Sequence, residues 1–229
     1  CHDLLNKNPD WADETFYIVE LGTGTGQFSY YVLKCLLEYK AKWQLEQVNF
    51  CYIMTDFTSS NVSYWKQHAA LKPFVDMGVL DFALFDLEKD HFIKLENRSV
   101  TLTDHSVVTP LITFGNYLFD SVLIDVFNIS DNQLGETLAA VKNKAGEPIS
   151  ELSNVAIGDV KLEYANHDVP QNYYQHSVFD QILKSYTHEL NETYLHFPIA
   201  GLRCLDVLSK ISSGKLLLLS SDKGYVSTE

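Results

Sequence analysis

Between a short apolar run and an amphipathic stretch, the chain sets Gly22, Gly24 and Gly26 at alternate positions in the segment ELGTGTGQ. Glycine accepts left-handed backbone and lacks the side chain that would keep a ligand away from backbone N–H groups. A glycine turn leading from a strand into a helix is therefore a natural cradle for a nucleotide-type ligand. The flanks agree. FYIVEL, from Phe16, reads as a buried strand, and Phe28, Tyr31, Val32, Cys35, Leu36 and Tyr39 then recur at helical spacing, predicting one buried helix face. A second strand is expected over residues 50–57. Ser59, Ser60 and Asn61 offer an N-cap for a short helix over residues 62–68. The unit is β-α-β.

Further strands are expected over residues 80–85 and 110–119, so strands and helices alternate as in a parallel sheet covered on both faces. The next stretch differs. IDVFNI and ETLAAVK flank a Ser130-Asp131-Asn132 turn like the arms of a hairpin, another strand is expected over residues 160–164, and Phe179, Ile182, Leu183, Tyr186 and Leu190 share a helix face. A loop with Phe197-Pro198, a helix over residues 202–211, a C-terminal Gly214 and the strand KLLLLSS follow. The reading is a single α/β domain over residues 1–229, with a core at 14–122 and 197–222 and an inserted hairpin and helix layer at 123–196. The polar stretch 143–154 is expected to be a mobile loop.

Composition excludes several functions. Thirty Asp plus Glu against 17 Lys plus Arg give a net charge of −13, and Arg98 and Arg203 are the two arginines. Phosphate-tracking proteins need clustered cations, so nucleic-acid binding is not expected. No apolar run reaches the roughly 18 to 20 residues of a membrane-spanning helix, and the acidity disfavours an anionic membrane surface. Cys1, Cys35, Cys51 and Cys204 form no CxxC pair, and the eight histidines form no HxxxH or HExxH pattern, so neither a disulfide framework nor a metal site is expected. A reducing, cytoplasmic setting fits, with organelle targeting left open because the start at Cys1 reads as a trimmed N terminus.

The turn itself narrows the ligand. The dinucleotide fingerprint G-x-G-x-x-G needs glycine where this chain has Gln27, and no GK[ST] follows to make a P-loop. VELGTGTGQ instead resembles motif I of class I S-adenosylmethionine-dependent methyltransferases, a likeness that extends over nearly the whole chain and implies a Rossmann-like sheet. The resemblance implies that Glu20 lies near the methionine part of the cofactor and that Gly22, Thr23, Gly24 and Gly26 approach its ribose and carboxypropyl regions. It implies Asp56, with Phe57 beside it, at the ribose hydroxyls, and Asp86 at the adenine amine. Asp56 could instead cap a strand end, and Glu88 or Asp81 could take the role of Asp86.

After residue 110 the chain is similar, more loosely, to the MidA-like branch, which includes mitochondrial complex I assembly methyltransferases. There a segment N-E-x-x-D-A-x-P precedes a hairpin; here NYLFDSV leads into IDVFNI. The resemblance implies Asn116, Tyr117 and Asp120 at the acceptor side, Asn116 also touching the cofactor and Asp120 able to take a proton. Tyr117 stands where the pattern has an acid, which weakens arginine as the acceptor, since a carboxylate is its natural bidentate partner. Asp120 could instead be a helix cap, and Tyr173, Tyr174 and His176 could line an acceptor pocket or feed a core helix. The expected activity is methyl transfer from S-adenosylmethionine to a protein or small molecule, of basic character given the acidic surface. The alternatives are a catalytically silent binding module and, more distantly, a nicotinamide oxidoreductase. The resemblance also implies a terminal strand hairpin after KLLLL, so either residues beyond Glu229 supply it or the insertion or a partner covers the exposed edge.

Overall fold

A computed structural model describes residues 7–149 and 155–222. After a 3-10 turn at Pro9–Trp11, strand β1 (Thr15–Leu21) runs through the glycine turn into helix α1 (Gln27–Lys42). There follow β2 (Asn49–Asp56), α2 (Ser59–Gln67), the short helix α3 (Lys72–Asp76) and β3 (Leu80–Leu84). A small hairpin of β4 (Ile93–Lys94) and β5 (Thr101–Leu102) precedes β6 (Leu111–Asn116). The chain then forms β7 (Asp125–Ser130), β8 (Gln133–Asn143), β9 (Val160–Asp168), α4 (Ser177–Glu189) and β10 (Thr193–Phe197). It returns through α5 (Ile199–Ile211) to β11 (Leu216–Ser221). Residues 1–122 with 200–229 make one compact unit and residues 123–199 another.

In the first unit five parallel strands lie in the order β11-β6-β1-β2-β3. Counted among themselves from the β3 edge they run 3-2-1-4-5, the Rossmann order, as the α/β reading expects. The two-residue period of the strands sorts the core. Val19, Leu21, Cys51 and Ile53 pack with Cys204, Leu208 and Ile211 of α5 on one face, while Ile18, Tyr52 and Met54 pack with Leu33, Val62 and Trp65 of α1 and α2 on the other. β11 forms one edge, and no strand follows it among the described residues.

Helix α1 lies where its periodicity places it but is turned. Phe28, Tyr31, Cys35 and Tyr39 of the expected inner face are exposed, and Ser29 and Leu33 are buried instead. The reason is polar. The Ser29 hydroxyl meets the buried Glu20 carboxylate, and a buried charge without a partner costs far more than half-exposed aromatic rings. α2 starts at Ser59, earlier than expected, and no side chain of Ser59, Ser60 or Asn61 caps it; its N-cap is Thr58. β6 stops at Asn116 rather than 119 because Tyr117 adopts φ 49°, the left-handed region that ends a strand.

In the second unit four antiparallel strands lie in the order β10-β7-β8-β9. Asp131 and Asn132 have φ of 52° and 59°, the two positive values of a type I′ turn, so the expected hairpin closes with Ser130 ending β7. Residues 193–197, expected as loop, are strand β10, because β7 offers a free edge along Asp125–Ile129 for them to pair with. The stretch expected as a mobile loop is partly ordered: β8 runs on to Asn143, and Asn143 N–H and Ile149 N–H donate to Glu147 O and Val141 O. Residues 150–154 of that stretch lie outside the described residues. Tyr174 stacks on Phe197 at 5.3 Å and meets Phe127 edge-on, while His176 caps α4 by accepting from Phe179 N–H. These aromatics feed a core. No helix among the described residues is long and apolar enough to cross a membrane.

Candidate functional site

In an open parallel sheet, ligands lie beyond the carboxyl ends of the strands where the winding direction reverses. Here that point falls between β1 and β6, and the glycine turn stands on it. Gly22, Gly24 and Gly26 all have positive φ, of 60°, 60° and 81°. Their surroundings differ sharply. A Cβ on Gly26 would sit 2.7 Å from Met54 Cε, and one on Gly22 would sit 2.7 Å from Leu118 Cδ1, whereas one on Gly24 would meet nothing within 4 Å. Gly26 thus admits the core, Gly22 admits the segment after β6, and Gly24 faces open space.

Strand-end carboxylates hold this turn. Asp56 is buried, and its Oδ2 accepts from Gly24 N–H at 3.3 Å and Asn61 Nδ2 at 2.8 Å. Its Oδ1 accepts from Thr58 N–H at 2.9 Å and Thr58 Oγ1 at 2.8 Å. A carboxylate has about four acceptor positions, and all four are in use. Asp56 thus organises the loop, and a diol would reach it by displacing the Asn61 amide or the long Gly24 bond. Trp65 Nε1 donates to Gly24 O at 2.8 Å, and Thr23 N–H donates to Thr55 O at 2.9 Å, which fixes the turn from below. Thr23 itself is buried, its hydroxyl donating to Glu20 O at 3.3 Å, so of this residue the backbone remains for a ligand.

Glu20, one residue before the end of β1, has its carboxylate in the interior. Oε2 accepts from Ser29 Oγ and from the Tyr52 hydroxyl at 2.6 Å, and no bond to Oε1 occurs among the described residues. Burial raises its pKa above the ordinary 4.5, opposed by the Ser29 and Tyr52 hydrogen bonds. A raised native pKa means that the group favours folding fully below the unfolded value and that this contribution is lost as pH rises through the native one. Glu20→Gln keeps an oxygen for both hydroxyls and removes the buried charge. Thermal melts from about pH 4 to 8 are expected to show the variant gaining on the wild type as pH rises; a difference flat across that range would refute the assignment.

The remaining expected residues are scattered around this centre. Phe57 is 71% exposed at the rim. Asn116 lies exposed at the end of β6, with Tyr117 and Asp120 exposed just beyond it. Asp86 is engaged: its Oδ1 accepts from Glu88 N–H at 3.0 Å and its Oδ2 pairs with Lys89 Nζ at 2.7 Å. The Lys89 ammonium holds its carboxyl below the usual carboxylate range. An adenine amine would have to compete with that pair. Asp81, its alternative, is fully buried in β3. Ser29, Tyr52, Thr58 and Trp65 carry no expectation from the sequence, and Asn61 carries only that of a helix cap; the D-x-T spacing of Asp56 and Thr58 is the one local signal that marks any of them at the site. Burial pushes the Cys51 and Cys204 thiols up to about 12, so neither supplies a thiolate. Among the described residues no group of three or more His, Cys, Asp or Glu could hold a metal ion.

No family model matches the chain, and no curated relative matches it. Two solved structures from Burkholderia thailandensis are similar in course. One, an uncharacterized protein, matches with a TM-score of 0.48 at 12% identity, over 89% of this chain and 42% of its own. The other, of the same superfamily and described as a methyl transferase candidate bound to S-adenosyl-homocysteine, matches with a TM-score of 0.42 at 12% identity, over 78% of this chain and 35% of its own. The chain thus spans less than half the length of either. Likeness at this level says nothing of a reaction, which has to be read from the site itself.

Proposed function

We propose that the chain is an S-adenosylmethionine-dependent methyltransferase acting on a nitrogen or hydroxyl of a protein or small molecule. The observation that carries this reading is the glycine turn at the switch point: a Cβ on Gly24 would meet nothing, one on Gly22 or Gly26 would meet Leu118 or Met54, and Gln27 replaces the glycine a dinucleotide turn would use. The residues present suit such a cofactor. The Gly24 cradle and the Thr23 backbone would take its ribose and carboxypropyl parts, Glu20 Oε1 could accept from its amine, and Phe57 at the rim offers an aromatic face to its base.

When bound, the cofactor supplies an electrophilic methyl group on a sulfonium. The chain's share is alignment and exclusion of water. In this reading Asn116, exposed at the end of β6, would orient an acceptor, and Asp120 four residues on would take its proton. The charge of −13 favours a cationic acceptor through long-range attraction. A silent binding module is the second reading, favoured by Tyr117, an exposed phenol where an acidic partner for the acceptor would stand.

Titration calorimetry with S-adenosylmethionine, S-adenosyl-homocysteine and NAD tests the cofactor. Heat is expected with the two sulfur compounds and not with NAD; no heat with either sulfur compound overturns both readings. Label transfer from the cofactor into a component of a native lysate then separates the enzyme from the silent module.

A further inference from the structure

The second unit ends in an unusual strand. β9 pairs with β8 without interruption from Asp168 opposite Gly135 to Val160 opposite Asn143, and its other edge has no strand beside it among the described residues. Folded proteins usually blunt such an edge with charged side chains, a bulge, a proline or a very short strand, and of these β9 has only its charges. β9 has no bulge in this register and no proline, and it is nine residues long. Its side chains make it attractive for pairing: Leu162 is 55% exposed and Tyr164 63% exposed, on the same side as Val160.

The charges say what pairs with it. Lys161 lies directly opposite Lys142 on one face of the ribbon, a like-charge pair that costs stability. One carboxylate, Glu163, stands beside them, and Lys142 takes it. Lys161 Nζ reaches the Lys144 carbonyl at 3.3 Å and has no carboxylate among the described residues. A second β9 laid antiparallel along the free edge and centred on Leu162 puts Lys161 of each copy opposite Glu163 of the other. The same register sets Val160 opposite Tyr164, a favourable β-branched and aromatic pair, and Leu162 opposite Leu162. Moving the centre by one residue would set Glu163 against Glu163 or Lys161 against Lys161, so the charges disfavour both neighbouring registers.

We propose that β9 is a self-pairing edge through which two copies of this chain join by a two-fold axis at Leu162, merging two four-stranded sheets into one of eight strands. Such a contact is isologous and closes on itself, which satisfies both edges without a fibre. Its central pairing spans five residues per chain, well below a standard interface, so a weak contact is expected, and a dissociation constant on the order of 10 µM sets the range to test.

Sedimentation equilibrium of the whole chain from about 1 to 100 µM brackets that affinity. The wild type is expected to shift from monomer to dimer. K161E and E163K each place like charges in apposition at both ends of the contact and are expected to be monomeric over the range. Mixed in equal amounts, the two variants set opposite charges at every such position and are expected to associate, as is the double variant K161E/E163K on its own. Circular dichroism confirms that each is folded; all the substituted side chains are exposed or face the ribbon surface. A wild type that stays monomeric at 100 µM overturns the proposal, whether the edge is then bare or belongs to another protein. So does a dimer that both single variants retain, or a pair of variants that remains monomeric when mixed.

Discussion

Gly24→Val is expected to bind S-adenosyl-homocysteine about 10- to 100-fold more weakly than the wild type by calorimetry, the effect of filling a packed cradle with about 1–3 kcal/mol of steric conflict. In the free protein the valine side chain has room, since nothing lies within 4 Å of its Cβ, but it must hold φ at +60°. That backbone cost is about 1–2 kcal/mol, so a modest fall in Tm should accompany the loss of binding. Gly26→Val is the contrasting case: its Cβ would stand 2.7 Å from Met54 Cε and 3.6 Å from Trp65 Cδ1, so it should lose stability more steeply than Gly24→Val. Wild-type affinity in Gly24→Val would show that no ligand lies against that glycine and would remove the main support for the proposed cofactor site.

Arg98→Ala is expected to lower the unfolding free energy by about 2–3 kcal/mol, toward the lower end for a broken buried ion pair because the guanidinium is partly exposed. Asp81 is fully buried in β3; its Oδ1 accepts from Phe82 N–H at 2.7 Å and Asn97 N–H at 2.9 Å, while Oδ2 has no hydrogen bond and faces Arg98 Nε at 3.7 Å. Removing Arg98 strands that oxygen in an apolar core beside Cys51 and also frees the Gly78 carbonyl that the guanidinium grips. The double variant Asp81→Asn/Arg98→Met removes the charge with its partner and should recover part of the loss. Urea unfolding measures all three. An Arg98→Ala variant within about 0.5 kcal/mol of the wild type would mean that the pair is solvated rather than structural.

What the sequence disclosed and what it withheld follow one physical divide. The strand, glycine turn and helix at residues 15–42 announce themselves by period and by glycine, because those are backbone demands that local residues must meet. The hairpin of β7 and β8 is legible for the same reason, Asp131 and Asn132 being suited to positive φ. β10 was not legible: TYLHF alternates weakly, and what makes it a strand is the edge of β7 more than 60 residues earlier. The orientation of α1 was hidden too, since aromatic residues at 28, 31 and 39 outweigh a single serine by hydrophobicity alone. Only Glu20, nine residues earlier on the face of β1 that α1 covers, reveals that Ser29 must face inward. Asp56 shows the same limit at the site: its place at a strand end could be read, but not that Thr58, Asn61 and Gly24 occupy all its acceptor positions.

The insertion between β6 and β11 also orders events during synthesis. Gly115 and Ser220, hydrogen-bonded neighbours in the finished sheet, are 105 residues apart in the chain. Strands β1, β2 and β3 emerge early with their helices and can begin to associate as they appear. The edge of β6 stays bare until β11 has been made, while residues 123–199 form a compact unit whose contacts can begin to form in the meantime. At roughly 5–20 residues per second, that interval lasts about 5–20 s, long enough to make a half-built sheet with an apolar open edge a natural client for a chaperone.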